Sequence, residues 1–193
     1  MKKGLIINFS PNKNGTSEFI AKYIYQKLKK TTDVGKINVN DLKIKPCGSC
    51  AEYCFRYAKC KIKDDLNSFF PRLVKEDFII IVTPVYFYHI PGLAKIMIDR
   101  SQPYWVKKYI LKKSNLKSKQ GFLIAVGATK GKKLFCGINL TIKYFFDIFN
   151  FKFDKKLNLY IRKVEKKRDV NLASLNLYSS NLEKLINYGK KDN

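Results

Sequence analysis

The sequence predicts an α/β protein built on a doubly wound, five-stranded parallel sheet, order 2-1-3-4-5, with helices on both faces. Three observations predict it. Short apolar runs rich in β-branched and aromatic residues alternate with stretches that carry the 3.6-residue period of an amphipathic helix. Phe78–Val82 and Phe122–Val126 are apolar throughout, as strands buried on both faces of a parallel sheet must be. The chain of 193 residues is long enough for one domain with a real core, and no internal repeat or Pro/Gly/Ser-rich linker divides it.

Leu5–Phe9 reads as the first strand. Ser10–Ser17 then supplies loop formers and a cap in Thr16 or Ser17, after which Ile20, Tyr23, Ile24, Lys27 and Leu28 follow the helical period. Val34–Val39, with Ile37, is the second strand. Leu66, Phe69, Phe70, Leu73 and Val74 form the next stripe, which Pro71 should kink or shorten. Phe78–Val82 is the third strand, and Pro91 opens a helix that turns Leu93, Ile96 and Met97 inward. Residues 100–118 are a basic, aromatic excursion without a readable motif. Phe122–Val126 is the fourth strand. Phe135, Ile138, Ile142, Phe145, Phe146 and Phe149 then make the clearest stripe in the chain. Leu157–Ile161 is the fifth strand, and a last helix carries Leu182, Leu185 and Ile186 inward. Residues 1–165 are thus expected to form the sheet domain, with 166–193 a C-terminal helical extension packed on it.

The strand order carries a functional expectation. Ligands of such sheets sit outside the carboxyl ends of strands 1 and 3, so Ser10–Ser17 and Thr83–His89 should share one crevice. Ser10-Pro11-Asn12-Lys13-Asn14-Gly15-Thr16-Ser17 offers backbone N–H groups, hydroxyls and a helix dipole to a phosphate. An ordinary βα connection with polar caps is the competing reading. Thr83-Pro84-Val85-Tyr86-Phe87-Tyr88-His89 suits a flat ring, with Thr83 and backbone N–H groups for its polar edge; a hydrophobic loop packed on its neighbours competes. Gly127-Ala128-Thr129-Lys130-Gly131 permits close backbone approach after strand 4. Neither Gly-x-x-x-x-Gly-Lys-[Ser/Thr] nor Gly-x-Gly-x-x-Gly occurs, which removes the Walker A and dinucleotide fingerprints.

The formal net charge is +24, from 39 Lys+Arg against 15 Asp+Glu. Of the basic residues 34 are Lys, scattered as pairs rather than gathered in an Arg-rich block. Without zinc-finger spacing or an RNA-binding aromatic signature, nucleic-acid binding is not the expected main function. Steering of anionic cofactors or acidic redox partners is. No apolar run approaches the ~18 residues of a membrane span. Met1-Lys2-Lys3 with Gly4–Phe9 imitates a leader too short to be one, and a cytoplasmic protein is expected.

Cys47, Cys50, Cys54 and Cys60 lie within fourteen residues, after strand 2 and so near the same sheet edge. Four thiolates suit an iron–sulfur cluster or zinc, and burial is the plain alternative. The i, i+3, i+7 spacing of Cys47, Cys50 and Cys54 is that of one helix face. Cys136 needs no role. His89 is the sole histidine, and without a Gly-x-Ser-x-Gly elbow a hydrolase reading fails. It stands either at the ring or as a polar residue at a loop rim.

Ser10-Pro-x-x-x-Gly15-Thr16-Ser17, Thr83-Pro84-Val85-Tyr86 leading to Lys95-x-x-x-Asp99-Arg100, and Gly127-Ala128-Thr129 together resemble the flavodoxin-like NAD(P)H-dependent FMN reductases. Lys45-Pro46-Cys47-x-x-Cys50 and Lys59-Cys60-x-Ile62-x-Asp64-Asp65 are similar to the subgroup that includes the iron–sulfur flavoproteins. The likeness runs from about residue 4 to 165. It implies FMN, with phosphate on Ser10, Asn12, Gly15, Thr16 and Ser17. The ring would lie against Pro84, Val85, Tyr86 and Phe87, closed on the far side by Gly127, Ala128 and Thr129. It also implies NAD(P)H as co-substrate, an unspecified electron acceptor, a homodimer and no catalytic side chain. A non-enzymatic flavin electron carrier serving ferredoxin-like partners is the alternative. A [4Fe–4S] cluster on Cys47, Cys50, Cys54 and Cys60 is a further implication. Here the sequence departs from the pattern: its gaps are two, three and five residues, where the iron–sulfur flavoproteins keep two in the second gap. Asp99 and Arg100 are expected to tie their helix to neighbouring structure.

Overall fold

A computed structural model describes residues 2–188. The strands are β1 (Lys3–Asn8), β2 (Asp33–Asn38), β3 (Phe78–Pro84), β4 (Lys119–Val126), β5 (Phe151–Phe153) and β6 (Leu159–Ile161). The helices are α1 (Thr16–Leu28), α2 (Ala51–Tyr57), α3 (Leu66–Lys75), α4 (Gly92–Asp99), α5 (Gln102–Trp105), α6 (Cys136–Ile148) and α7 (Leu172–Tyr188). All strands pair in parallel, in the order β2-β1-β3-β4-β5, with β6 also on β4. This is the flavodoxin-like doubly wound sheet that the alternation of elements predicts.

The period of two along each strand divides the core into two layers. Leu5, Ile7, Ile79, Ile81, Leu123 and Ala125 face α3, α4 and α6. Ile6, Phe78, Ile80, Val82, Phe122 and Ile124 face α1 and α7. The stripe from Phe135 to Phe149 is buried at all six expected positions. On α4, Ala94 and Met97 are buried, while Leu93 and Ile96 are only half-buried. α3 runs unbroken through Pro71, so the expected kink does not interrupt it.

The fifth strand differs from its prediction. It is two three-residue strands laid end to end along β4: β5 beside Lys119–Gly121 and β6 beside Ile124–Val126. A 3-10 turn over Lys155–Leu157, capped by the Asp154 carboxylate on the Lys156 N–H (2.9 Å), separates them. Phe151-Lys152-Phe153 is too short to register as a strand beside Asp154-Lys155-Lys156.

α7 lies on α1, with Leu175, Leu182 and Ile186 buried in the core that α1 covers. Leu185, expected inward, is exposed, because it stands about a quarter turn off the stripe that these three define. Residues 189–193 of the expected extension lie outside the described residues. Among the described residues no helix is long and apolar enough to cross a membrane.

Candidate functional site

At the carboxyl ends of β1, β3 and β4 lies a cavity of about 700 Å³. Ser10, Asn12, Gly15, Thr16 and Ser17 line one wall, and Pro84, Val85, Tyr86 and Ala128 line others. The loops after β1 and β3 therefore do share one crevice, as the switch point between β1 and β3 requires.

The wall at Ser10–Ser17 presents hydroxyls and the start of α1 to the cavity. Asn12 folds the loop back on itself: its Oδ1 accepts the Asn14 N–H (2.9 Å) and its carbonyl the Gly15 N–H (3.2 Å). Gly15, not Thr16 or Ser17, is the N-cap of α1 and brings no capping side chain, so the first-turn N–H groups lack the usual side-chain partner. Beneath the loop, Glu18 is buried and paired with Lys36 (2.8 Å) and with the Asn8 amide (2.8 Å). That network fixes the helix start against β1 and β2.

The opposite wall is Val164–Arg168, which sequence reasoning missed. It brings Lys166, Lys167 and Arg168 to the cavity, where Asp169 fastens the turn through the N–H groups of Glu165 (3.1 Å) and Lys166 (2.8 Å). The signal was present. Strand order 2-1-3-4-5 sets the last helix beside the first, so the loop entering the last helix must border the phosphate loop. Arg162 joins this segment to the loop after β4, donating to the carbonyls of Gly131 (2.6 Å) and Lys130 (3.2 Å) and stacking over Phe135.

Other expected residues stand elsewhere. Phe87 is fully exposed at the tip of a two-residue hairpin, with Tyr86 and His89 exchanging both backbone hydrogen bonds (2.8 and 2.9 Å). Gly127 and Thr129 flank Ala128 without lining the cavity, and Gly127 packs under Leu134. Thr83 is buried, its hydroxyl on the Pro84 carbonyl (3.0 Å), and so is not offered to a ring. His89 turns back onto α6, its Nε2 2.9 Å from Thr141 Oγ1. A β-carbon at Gly137 would stand 2.7 Å from the Tyr88 carbonyl, so only glycine lets the hairpin lie so close.

The cysteine segment does not reach this cavity. Cys47 lies in coil ahead of α2 and is exposed, Cys50 precedes the helix, and only Cys54 is on it and buried, so the three do not share a helix face. Burial, with Cys50, Cys60 and Cys47 nearby, pushes the Cys54 thiol up to about 11, and burial raises Cys47 as well. Cys60 accepts a hydrogen bond from Arg100 Nε (3.3 Å). Although the four thiols influence one another, among the described residues no three Cys, His, Asp or Glu side chains converge as metal ligands. The donor set is of the type an iron–sulfur cluster takes, with four thiols near one another.

Arg100 does tie α4 to neighbouring structure. Its guanidinium bonds both Asp64 oxygens and the carbonyls of Lys45 (2.7 Å) and Ile62 (3.4 Å), while Asp99 pairs with Lys95 (2.5 Å).

Residues 3–146 match the family described as NADPH-dependent FMN reductase. The chain belongs to the NADPH-dependent FMN reductase family. An iron–sulfur flavoprotein of Archaeoglobus fulgidus is 37% identical over 101 residues, 52% of this chain and 49% of the relative. One of Methanocaldococcus jannaschii is 32% identical over 94 residues, 49% of this chain and 45% of the relative. The chain thus matches about half the length of these curated relatives. Its fold is also that of an FMN-dependent NADH-azoreductase from Bacillus anthracis solved with FMN, with TM-score 0.67, 12% identity, and 96% and 100% of the two chains covered. The cavity between the β1 and β3 loops offers an uncapped helix start, three cations and the Pro84, Val85 and Tyr86 wall.

Proposed function

We propose that the chain binds FMN in this cavity and works as an oxidoreductase, reduced by NAD(P)H and oxidised by a separate electron acceptor. One observation carries the reading: a single cavity joins the uncapped start of α1 to the Pro84–Tyr86 wall and to the basic Lys166–Arg168 segment. The hydroxyls of Ser10, Thr16 and Ser17, the Asn12 amide and the first-turn N–H groups of α1 hold the phosphate. Lys166, Lys167 and Arg168 neutralise it from the other side. Pro84, Val85 and Tyr86 support the ring, and Ala128 borders it on the β4 side. FMN supplies the hydride and electron chemistry when bound. The chain's own part is to bind, orient and shield, so no side chain is assigned as acid or base.

Cys47, Cys50, Cys54 and Cys60 would hold an iron–sulfur cluster where the chain takes one. A second copy of the chain fits the hairpin, where the side chain of Phe87 is otherwise left wholly in solvent. A cytoplasmic setting accompanies this reading.

The net charge of +24 favours one rival: a carrier that exchanges electrons with acidic, ferredoxin-like proteins rather than with a nicotinamide. Anaerobic titration of the FMN-loaded chain separates the two. Bleaching of the flavin absorbance by NADPH or NADH supports the reductase. A flavin-replete chain that is inert to both and reduced rapidly by reduced ferredoxin, in a salt-sensitive reaction, establishes the carrier. Iron and acid-labile sulfide assays on the same sample test for a cluster, and sedimentation tests the dimer.

A further inference from the structure

A second cavity, of about 490 Å³, opens at the amino edge of the sheet, away from the proposed flavin site. Lys2, Lys75, Lys117, Lys119 and Lys152 line it. Lys119 differs from the others in being held. Its Nζ donates to the Val74 carbonyl at 3.1 Å and stands 4.0 Å from the centroid of the Phe151 ring. The two carboxylates of the cavity are committed elsewhere, Asp77 to the Lys3 N–H (2.8 Å) and Glu76 to Arg72 (3.4 Å). Among the ion pairs of the described residues, none includes Lys119. Half-burial, the lack of a carboxylate partner and the four lysines around it work against the charged form of this amine, whereas the Val74 carbonyl and the Phe151 face favour it.

We propose that Lys119 is a reactive amine, modified in this cavity by anionic acyl donors of the acyl-phosphate class. The exposed lysines at the mouth, chiefly Lys117 and Lys152, gather the donor's phosphate and leave its carbonyl near Nζ. The neutral Nζ attacks the acyl carbon. The C–N bond forms, the C–O bond to phosphate breaks, and inorganic phosphate leaves with the bonding pair. The amine proton passes to solvent, and nothing is oxidised or reduced. The resulting amide still donates to Val74 but has lost the charge that faces Phe151.

Burial lowers the Lys119 amine to about 8, with the charges of Asp77 and Glu76 opposing the shift and Lys2, Lys75, Lys117 and Lys152 around it. The proposal makes no use of the flavin, so it stands or falls apart from the proposed function. The test uses the folded full chain, acetyl phosphate near neutral pH, and peptide mass spectrometry of every lysine. The other 33 lysines are the internal reference. Lys119 is expected to acetylate about tenfold faster than the median lysine. Its rate should rise with pH to a plateau with its midpoint at about 8, and the preference should vanish in urea. Lys117→Gln with Lys152→Gln should slow the reaction with acetyl phosphate several-fold and leave that with neutral N-acetylimidazole unchanged, which also shows that the variant is folded. A Lys119 rate at or below the median, a preference that survives urea, or a rim variant without effect on the acetyl phosphate rate overturns the proposal.

Discussion

The Asn158 side chain completes a strand ladder: its Oδ1 accepts the backbone N–H of Leu123 at 2.9 Å, in the gap between β5 and β6. Leu123 is in the middle of β4 and fully buried. Its N–H would otherwise have no partner, since the 3-10 turn has pulled the neighbouring backbone out of register. Asn158→Ala should therefore lower the unfolding free energy by about 1–3 kcal/mol and speed hydrogen exchange at Leu123 well ahead of its β4 neighbours. Urea denaturation and amide exchange by NMR check both.

That pair also marks where the sequence stops being legible. The continuous apolar runs of β1, β3 and β4, buried on both faces, are set by composition alone, and the Phe135–Phe149 stripe by its spacing. The fifth strand was not, because its pairing depends on one side chain standing in for a peptide group. The site divides in the same way. The loops of Ser10–Ser17 and Pro84–Tyr86 were readable because residue types and strand order both point to them. Lys166–Arg168 was marked by strand order alone, because a basic run in a chain with 39 Lys+Arg looks like any other. Whether Cys47, Cys50 and Cys54 share a helix face depends on where α2 begins, one residue after Cys50, which spacing alone does not set.

Phe87 and Tyr88 form the two central positions of the Tyr86–His89 hairpin with φ of 48° and 62°. These left-handed angles define a turn that favours Asn-Gly, and bulky residues there carry strain. Phe87→Asn with Tyr88→Gly should relieve it and stabilise the fold by about 1–2 kcal/mol, read as a higher Tm. The same variant should weaken self-association by removing the exposed Phe87 ring. A lower Tm contradicts the strain argument.

Arg100 and Asp64 are an ion pair almost wholly removed from water, with 1% and 3% of their side chains exposed. Truncating Arg100 to Ala strands a buried carboxylate and should cost about 3–5 kcal/mol. Burial alone would raise the Asp64 pKa, but hydrogen bonds from Arg100 and from the N–H groups of Lys45 and Leu66 outweigh it and hold the carboxyl below its usual range. A folded-state pKa below the unfolded value stabilises the protein above the unfolded pKa and ceases to do so as pH falls through the folded one. The stability gap between the wild type and Asp64→Asn should thus be constant near neutrality and shrink below about pH 4. Urea midpoints across that range measure it, and a gap that widens in acid reverses the sign.

The Lys166–Arg168 segment and the start of α1 face the same cavity from opposite sides, which makes a double prediction about the phosphate. Lys166→Gln, Lys167→Gln and Arg168→Gln together should weaken FMN binding by about 1–3 kcal/mol, or roughly five- to a hundredfold, the range expected when charge-assisted hydrogen bonds are removed from a partly exposed site. Riboflavin, which lacks the phosphate, should bind wild type and variant alike. The wild type's FMN affinity should fall with salt more steeply than the variant's, since the cations removed are the screened part of the interaction. Thr16→Val, in contrast, removes a neutral hydroxyl. It should cost about 0.5–1.5 kcal/mol at every salt concentration. Flavin fluorescence titrations with both ligands measure all four quantities. A triple variant that loses riboflavin as well as FMN would show that the segment holds the ring or the loop rather than the phosphate.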